Sequence, residues 1–348
     1  MKLIPSILIL CLLTSCGVST AVPTPPAPAT VSIASPTLTP TGTPAPAPTS
    51  TPEGWCGHPL NDDFVIIGYL PEYRELNPEW GKCLTDLIYF SAEPRADGTL
   101  DTSRLNDVTW HGLQTMKANY GTRIHLTVGG WERSQGFAPL AANAKSRAAF
   151  IQNLLDFASE HQLDGVDFDW EFPEGETEFN NYITFLTETK NAFAEHGLIV
   201  SVALSADNAS SMDLSQFAVV DRIHVMSYDR GVLHSTYNMA VEDLNTFTLN
   251  SIAQEKLFLG VPFYGRLIAS PFTPFTYQEI VTKYHPSSDV EQVDNIFFNG
   301  ITTIQYKTCF VRDNGFGGIM IWELGQDTWD ETSLLRAIYQ AAVSECKK

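Results

Sequence analysis

Basic residues are scarce in this chain. Its 348 residues include 21 Lys and Arg against 40 Asp and Glu, a formal net charge of −19. That balance argues against nucleic acid or an anionic membrane face as a partner, because both are gripped through clusters of positive charge. It suits a neutral or cationic partner, or plain solubility. Long apolar runs are missing too: the N-terminal MKLIPSILILCLLTSC carries one lysine and an apolar stretch too short to span a bilayer. No cysteines have the close spacing of a zinc site. No glycine-rich phosphate loop follows the first predicted strand, where GYLPEY stands instead.

Six cysteines are present. Cys11 lies in the N-terminal apolar stretch, and Leu13-Thr14-Ser15-Cys16 resembles the lipobox of bacterial lipoproteins, whose cysteine is lipidated and becomes the first residue. An ordinary secretory signal with an incidental cysteine is the alternative. Residues 1–16 are read as a lipoprotein signal peptide and 17–55 as a Pro/Thr-rich linker. Within the linker, residues 22–53 are dominated by Pro, Thr, Ala and Ser, with Glu53 the only charge. Such a segment cannot bury a core and extends by about 3.1 Å per residue in polyproline II form. The expectation is a domain, 56–348, held at the extracellular face of a bacterial cell membrane through its lipid alone, or secreted. There Cys56, Cys83, Cys309 and Cys346 can form disulfides. Cys56–Cys83 and Cys309–Cys346 are the expected pairs, since each would staple one end of the domain.

From residue 60 onward, short β-rich runs alternate with longer amphipathic stretches, the rhythm of parallel β/α architecture. Strands are predicted at 64–69, 85–91, 123–129, 163–171, 198–204, 221–228, 256–263 and 316–322, with helices at 144–162, 178–197 and 332–345. This pattern predicts an α/β fold, the (β/α)8 barrel. An open doubly wound sheet is the alternative, and the missing phosphate loop argues against it.

The fourth predicted strand, LDGVDFDWE at 163–171, is apolar enough to be buried, yet it carries Asp164, Asp167, Asp169 and Glu171. Burying unpaired charge is costly. Residues two apart on a strand share a face, so Asp167, Asp169 and Glu171 point one way while Val166, Phe168 and Trp170 point the other. In a barrel the apolar set packs under the helices and the carboxylates face inward. Glu171 comes last, at the carboxyl end, where active sites of this fold lie. Clustered carboxylates can bind a divalent metal. They can also repel one another and share protons, so that one stays protonated near neutral pH and acts as a general acid. Spacing alone leaves both readings open, with acid catalysis preferred.

Asp164-Gly165-Val166-Asp167-Phe168-Asp169-Trp170-Glu171 resembles the D-G-x-D-x-D-x-E signature of glycoside hydrolase family 18, the chitinases and their relatives. Gly129-Gly130-Trp131 resembles the end of that family's S-x-G-G motif, with Thr127 in place of serine. Met226-Ser227-Tyr228-Asp229 matches its M-x-Y-D motif, and GVPFYGR (260–266) and GGIMIWE (317–323) resemble its seventh and eighth strands. The likeness spans residues 62–345 in the family's order.

The resemblance implies hydrolysis of β-1,4-linked N-acetylglucosamine polymers, chitin or chitooligosaccharides, without cofactor or metal. The family is an exception to the usual two-carboxylate scheme. Glu171 would protonate the glycosidic oxygen while the substrate's own 2-acetamido carbonyl attacks the anomeric carbon, giving an oxazolinium ion with retention. Asp169 would orient the acetamido N–H, and Asp167 would share a proton with it, so that the three titrate as a coupled set. Tyr228 would hydrogen-bond the acetamido oxygen. Trp322 corresponds to the tryptophan under the sugar at the cleavage site, where a flat aromatic face suits the apolar face of a pyranose. Met226 and Asp229 belong to the M-x-Y-D motif, with Asp229 facing sugar hydroxyls. Tyr69, Phe90 and Trp131, together with Tyr264 and Arg266, would extend the sugar platform.

The sequence departs from the family pattern at two points. Thr127 for serine is chemically mild and should support the carboxylates equally well. Arg230-Gly231-Val232 follows M-x-Y-D where many chitinases carry an aromatic residue and a small turn, which leaves the leaving-group side of the cleft open. The motifs read only the sugar, so N-glycans and peptidoglycan are alternative polymers. A non-catalytic chitin-binding lectin is the alternative class, against which the presence of Glu171 argues. A monomer is expected. Many family members insert a small α+β unit between the seventh and eighth strands. The segment 267–316 leaves little chain for one, because an independent domain needs roughly 40 residues or more. A single catalytic domain without a sizeable insertion is expected, with a shallow, open groove and endo-type action.

Overall fold

The computed structural model describes residues 56–57, 64–209, 212–344 and 346. The signal peptide and linker expected from the sequence, with Cys16, lie outside the described residues. Eight strands form the barrel: β1 (Val65–Pro71), β2 (Asp86–Pro94), β3 (Arg123–Gly129), β4 (Gly165–Asp169), β5 (Ile199–Leu204), β6 (Arg222–Val225), β7 (Leu257–Pro262) and β8 (Gly318–Trp322). Each pairs parallel with the next, and β8 pairs with β1, so the sheet closes on itself. Every strand overlaps its predicted run, and closure rules out the open sheet.

The near-continuous apolar character of these strands follows from burial on both faces. Outward-pointing Ile66, Leu126, Val166, Phe168, Val202, Leu259 and Ile321 join the large core under the surrounding helices. Inward-pointing Val65, Ile67, Tyr69, Ile88, Phe90, Phe258 and Met320 form a second, smaller core inside the barrel. These come from β1, β2, β7 and β8. The interior positions of β3 to β6 are polar instead: Thr127, Asp167, Ser201 and His224, all buried. One half of the barrel is thus packed with hydrocarbon, and the other is built for hydrogen bonding.

The amino ends of the strands are closed by ionic groups. Asp86, wholly buried, accepts from Arg123 (two bonds, each 2.8 Å), Arg222 (2.8 Å) and His125 (2.8 Å). Burial pushes its carboxyl up, but these donors outweigh it and hold it well below the usual range. Asp164 belongs to this end of the barrel. It accepts from the Ile124 backbone N–H (2.8 Å) and from Lys117 (2.7 Å), so it caps a neighbouring strand instead of entering the site. Asp221 does the same for Val200 N–H (2.9 Å), with Lys190 beside it.

Both expected disulfides form, Cys56–Cys83 and Cys309–Cys346. Between β7 and β8 the chain folds more than expected. Strands Tyr264–Leu267, Pro274–Thr276, Gln292–Val293 and Ile296–Phe297 make a small antiparallel sheet, with the helix Tyr277–Tyr284 between the second and third. It is possible on so short a segment because it needs no core of its own. Tyr277, Ile280, Val281, Ile296 and Phe298 are all buried in the main core of the barrel. The unit is an outgrowth of the single domain, not a second one.

Candidate active site

At the carboxyl ends of the strands lies a cavity of about 590 Å³. Its lining includes Tyr69, Phe90, Trp131, Asp169, Glu171, Met226, Tyr228, Asp229, Arg266 and Trp322, all singled out from the sequence. Two candidates lie behind this surface. Asp167 is wholly buried one layer down. Tyr264, expected to touch sugar, is buried and donates to Asp229 (2.7 Å), so it braces a cleft residue from the rear.

The three carboxylates occupy different environments. Asp167 accepts from Ser201 (2.7 Å) and lies 3.1 Å from His224 Nδ1 through Oδ1, and it accepts from Tyr69 (2.8 Å) and Thr127 (3.3 Å) through Oδ2. Burial raises its pKa, but the neighbouring His224 and these hydrogen bonds win and leave it lowered. Thr127 thus takes up the role expected of serine in the motif. Asp169 is buried with Oδ1 unpartnered, and burial, then the charges of Glu171 and Asp167, raise its pKa well above the usual range. A proton shared by the pair therefore rests on Asp169.

Glu171 was expected to continue the strand. Instead β4 ends at Asp169, and Glu171 stands just beyond the sheet. Its backbone N–H donates to Ser134 Oγ (3.0 Å), and that hydroxyl also donates to Asp169 O (3.1 Å) and Gly130 O (3.0 Å), tying the end of β4 to the end of β3. Burial, and after it the Asp229 charge, raise the Glu171 carboxyl to about 7. That value lets it hold a proton near neutrality and still release one, as a general acid must.

The turn that follows β3 needs its glycines. Gly129 and Gly130 have φ of 96° and 108°, and a Cβ at Gly130 would lie 2.3 Å from the Phe90 ring. The turn delivers Trp131 to the rim, where it is 68% exposed. Trp322 ends β8 with its ring edge-on to Phe90 (4.8 Å between centroids) and Tyr69 (5.7 Å). Tyr228 is raised well above 10 by burial and then by the surrounding carboxylates, so its hydroxyl stays a hydrogen-bond donor.

Sequence reasoning missed Tyr73, Arg133, Phe172 and Asp207, which also line the cavity. Tyr73 and Phe172 lie one or two residues past the ends of β1 and of the acidic segment, a position that could have flagged them. Arg230, noted only as a departure, lines the cavity too, paired with Asp207 (2.7 Å) and with the buried Asp243. The wall beside the M-x-Y-D motif is therefore charged, where many chitinases carry an aromatic residue. Among the described residues no group of three His, Cys, Asp or Glu side chains is arranged to hold a metal ion.

A closed barrel with graded carboxylates at its mouth and tryptophan in the lining of its cavity is an arrangement that suits a glycoside hydrolase. Residues 65–327 match the family described as Glycosyl hydrolases family 18, and the chain belongs to that family. Chitinase A1 of Niallia circulans is 26% identical over 289 residues, covering 61% of this chain and 41% of its own length. Chitinase 1 of Aphanocladium album is 23% identical over 338 residues, covering 75% of this chain and 80% of its own length. This chain therefore spans less than half of the first relative and most of the second. Among solved structures, the GH18 chitinase ChiB from the chitin utilization locus of Flavobacterium johnsoniae superposes with a TM-score of 0.70 at 27% identity, covering 81% of this chain and 94% of that one. A chitinase from Bacteroides thetaiotaomicron gives 0.73 at 24% identity, over 80% and 96%, and shows the fold.

Proposed function

We propose that this protein hydrolyses chitin or chitooligosaccharides by a retaining, substrate-assisted mechanism with Glu171 as general acid and base. The observation that carries this reading is the buried, unpartnered Oδ1 of Asp169, set between the saturated Asp167 and the proton-holding Glu171. A buried acceptor without a donor is costly, and an acetamido N–H is the donor it lacks. With that N–H held, the acetamido oxygen is aimed at the anomeric carbon under Tyr228, while Glu171 protonates the leaving oxygen. Once the oxazolinium ion has formed, the Glu171 carboxylate takes a proton from the incoming water. The Trp322 ring, with Phe90 and Tyr69 behind it, supplies the flat apolar floor for the reacting sugar.

The names of the relatives favour chitin over the N-glycan and peptidoglycan alternatives. The test is a product assay on chitin oligomers, N-glycans and muropeptides side by side. Chitin oligomers should be cleaved and the other two left intact, and the reverse order would overturn the choice of polymer.

Endo-type action rests on the small size of the unit between β7 and β8. It borrows the barrel core, and so short a unit is taken to leave the groove open. On a soluble chitin derivative, viscosity should fall well before reducing ends accumulate. Dimers released from the start at undiminished viscosity would mean that the enzyme works from chain ends.

Anchoring through Cys16 is supported by the Leu13-Thr14-Ser15-Cys16 sequence and the charge-poor linker behind it. Cys16→Ala should move the protein from the detergent-extracted membrane fraction to the medium. Wild-type protein found free in the medium would overturn the anchor.

A further inference from the structure

A lysine is buried where the proposed chemistry has no use for it. Lys307, on the helix Ile301–Asp313 that leads into β8, is wholly inaccessible to solvent. Its ammonium donates to Ser235 O (3.0 Å), Ser235 Oγ (2.8 Å) and Asn299 Oδ1 (2.7 Å). All three acceptors are neutral. Glu291 acts on the lysine only at longer range and takes its own hydrogen bond from Thr303 (2.7 Å). Burial accordingly lowers the ammonium to about 7. A chain that only had to fill this space could use apolar side chains throughout, because an apolar set often replaces a buried charged one with its partners without loss.

The use of the charge lies at the other end of the contact. Ser235 and Asn299 are buried as well, and Asn299 Nδ2 donates to Ser235 O (2.7 Å), so this one serine is gripped by two side chains. Ser235 Oγ in turn donates to Ser227 O (2.8 Å), closing the base of the loop that leaves β6. That loop carries Tyr228, Asp229 and Arg230 into the cavity. Asp229 has a φ of 63°, a left-handed value that is uncommon outside glycine, and Gly231 one of 59°, which glycine adopts readily. Within the loop, Arg230 N–H reaches His234 O (3.3 Å), and the His234 ring stacks on Tyr264, which holds Asp229.

We propose that Lys307 is a positioning residue which, through Ser235, fixes the Asp229–Arg230 wall of the cleft and so governs productive binding of the leaving-group sugars. The proposal rests on the glycosidase reading above, in which this wall lies on the leaving-group side.

Two substrates separate the possibilities: chitotetraose, which places sugars on both sides of the cut, and an aryl chitobioside, which has no leaving sugar. Lys307→Met keeps the length of the side chain and removes the donors. It should lower kcat/KM on chitotetraose by about 10-fold, chiefly through KM, and that on the aryl chitobioside by no more than about threefold. The melting temperature should fall by no more than about 10 °C, since the buried acceptors on Ser235 and Asn299 lose a donor while the fold is kept. If Lys307→Met does not fold, Ser235→Ala removes only the hydroxyl that links the lysine to Ser227, and it should show the same split in smaller degree. Equal losses on both substrates, or no loss in a folded variant, would overturn the proposal. Wild-type protein inactive on both substrates would reject the glycosidase reading itself, a result distinct from either of these.

Discussion

Glu171→Gln is expected to lower turnover of chitooligosaccharides by about 10²–10⁴-fold while their affinity is retained, because the amide keeps the shape and loses the transferable proton. The sign of the pH dependence follows from the raised carboxyl. Glu171 titrates at about 7, so the acid form predominates below that value and is lost above it. Wild-type kcat/KM should therefore fall as pH rises through about 7, and the residual activity of Glu171→Gln should lack that limb. The limb belongs to Glu171 together with Asp169, since the Glu171 charge also raises Asp169. Asp167 is held ionised by its donors, and Asp169 takes up the proton they share. Turnover unchanged by the substitution would remove Glu171 from the mechanism, and an alkaline limb that survives it would assign the limb to another group.

Fully deacetylated polymer is expected to resist cleavage between its glucosamines, with a loss of about 10⁵-fold or more, the order of advantage that a well-placed intramolecular nucleophile confers. Substrate-assisted chemistry places the nucleophile in the sugar. Neither buried aspartate is suited to replace it: Asp167 lies a layer below the cavity surface with its lone pairs engaged, and Asp169 is neutral while it carries the shared proton. Charge alone should not keep the polymer out, since the chain is strongly acidic and glucosamine is cationic. Rapid cutting of a chain from which every acetyl group has been removed would mean that a protein group attacks, and the proposed roles of Asp169 and Tyr228 would fall with it.

Most of the cleft was legible from strand alternation together with the resemblance to the family's motifs. Asp169 could be placed from alternation, Met226 and Trp322 from the motifs that contain them, and the structure brings them to one cavity. Asp164 shows where alternation gives no answer. Its spacing does not reveal that it faces the amino end of the barrel, where Lys117 and a strand N–H receive it. Tyr264 shows a second limit, because the seventh strand runs on into an antiparallel sheet and turns that side chain behind the cleft. Tyr73 and Asp207 come from connecting segments with no periodicity to read.

The sequence by itself determined the eight strands, their order and the inward pair Asp167 and Asp169, all of which depend on local pattern or on counting along the chain. The pairing of four cysteines it only favoured among three, and the fold decided it. Only the tertiary structure decided how the carboxylates divide their labour. Which aspartate stays charged depends on four donors, Tyr69, Thr127, Ser201 and His224, that arrive from four different strands. Closure of the barrel brings those strands together, and nothing in the linear order of residues encodes the distances that result.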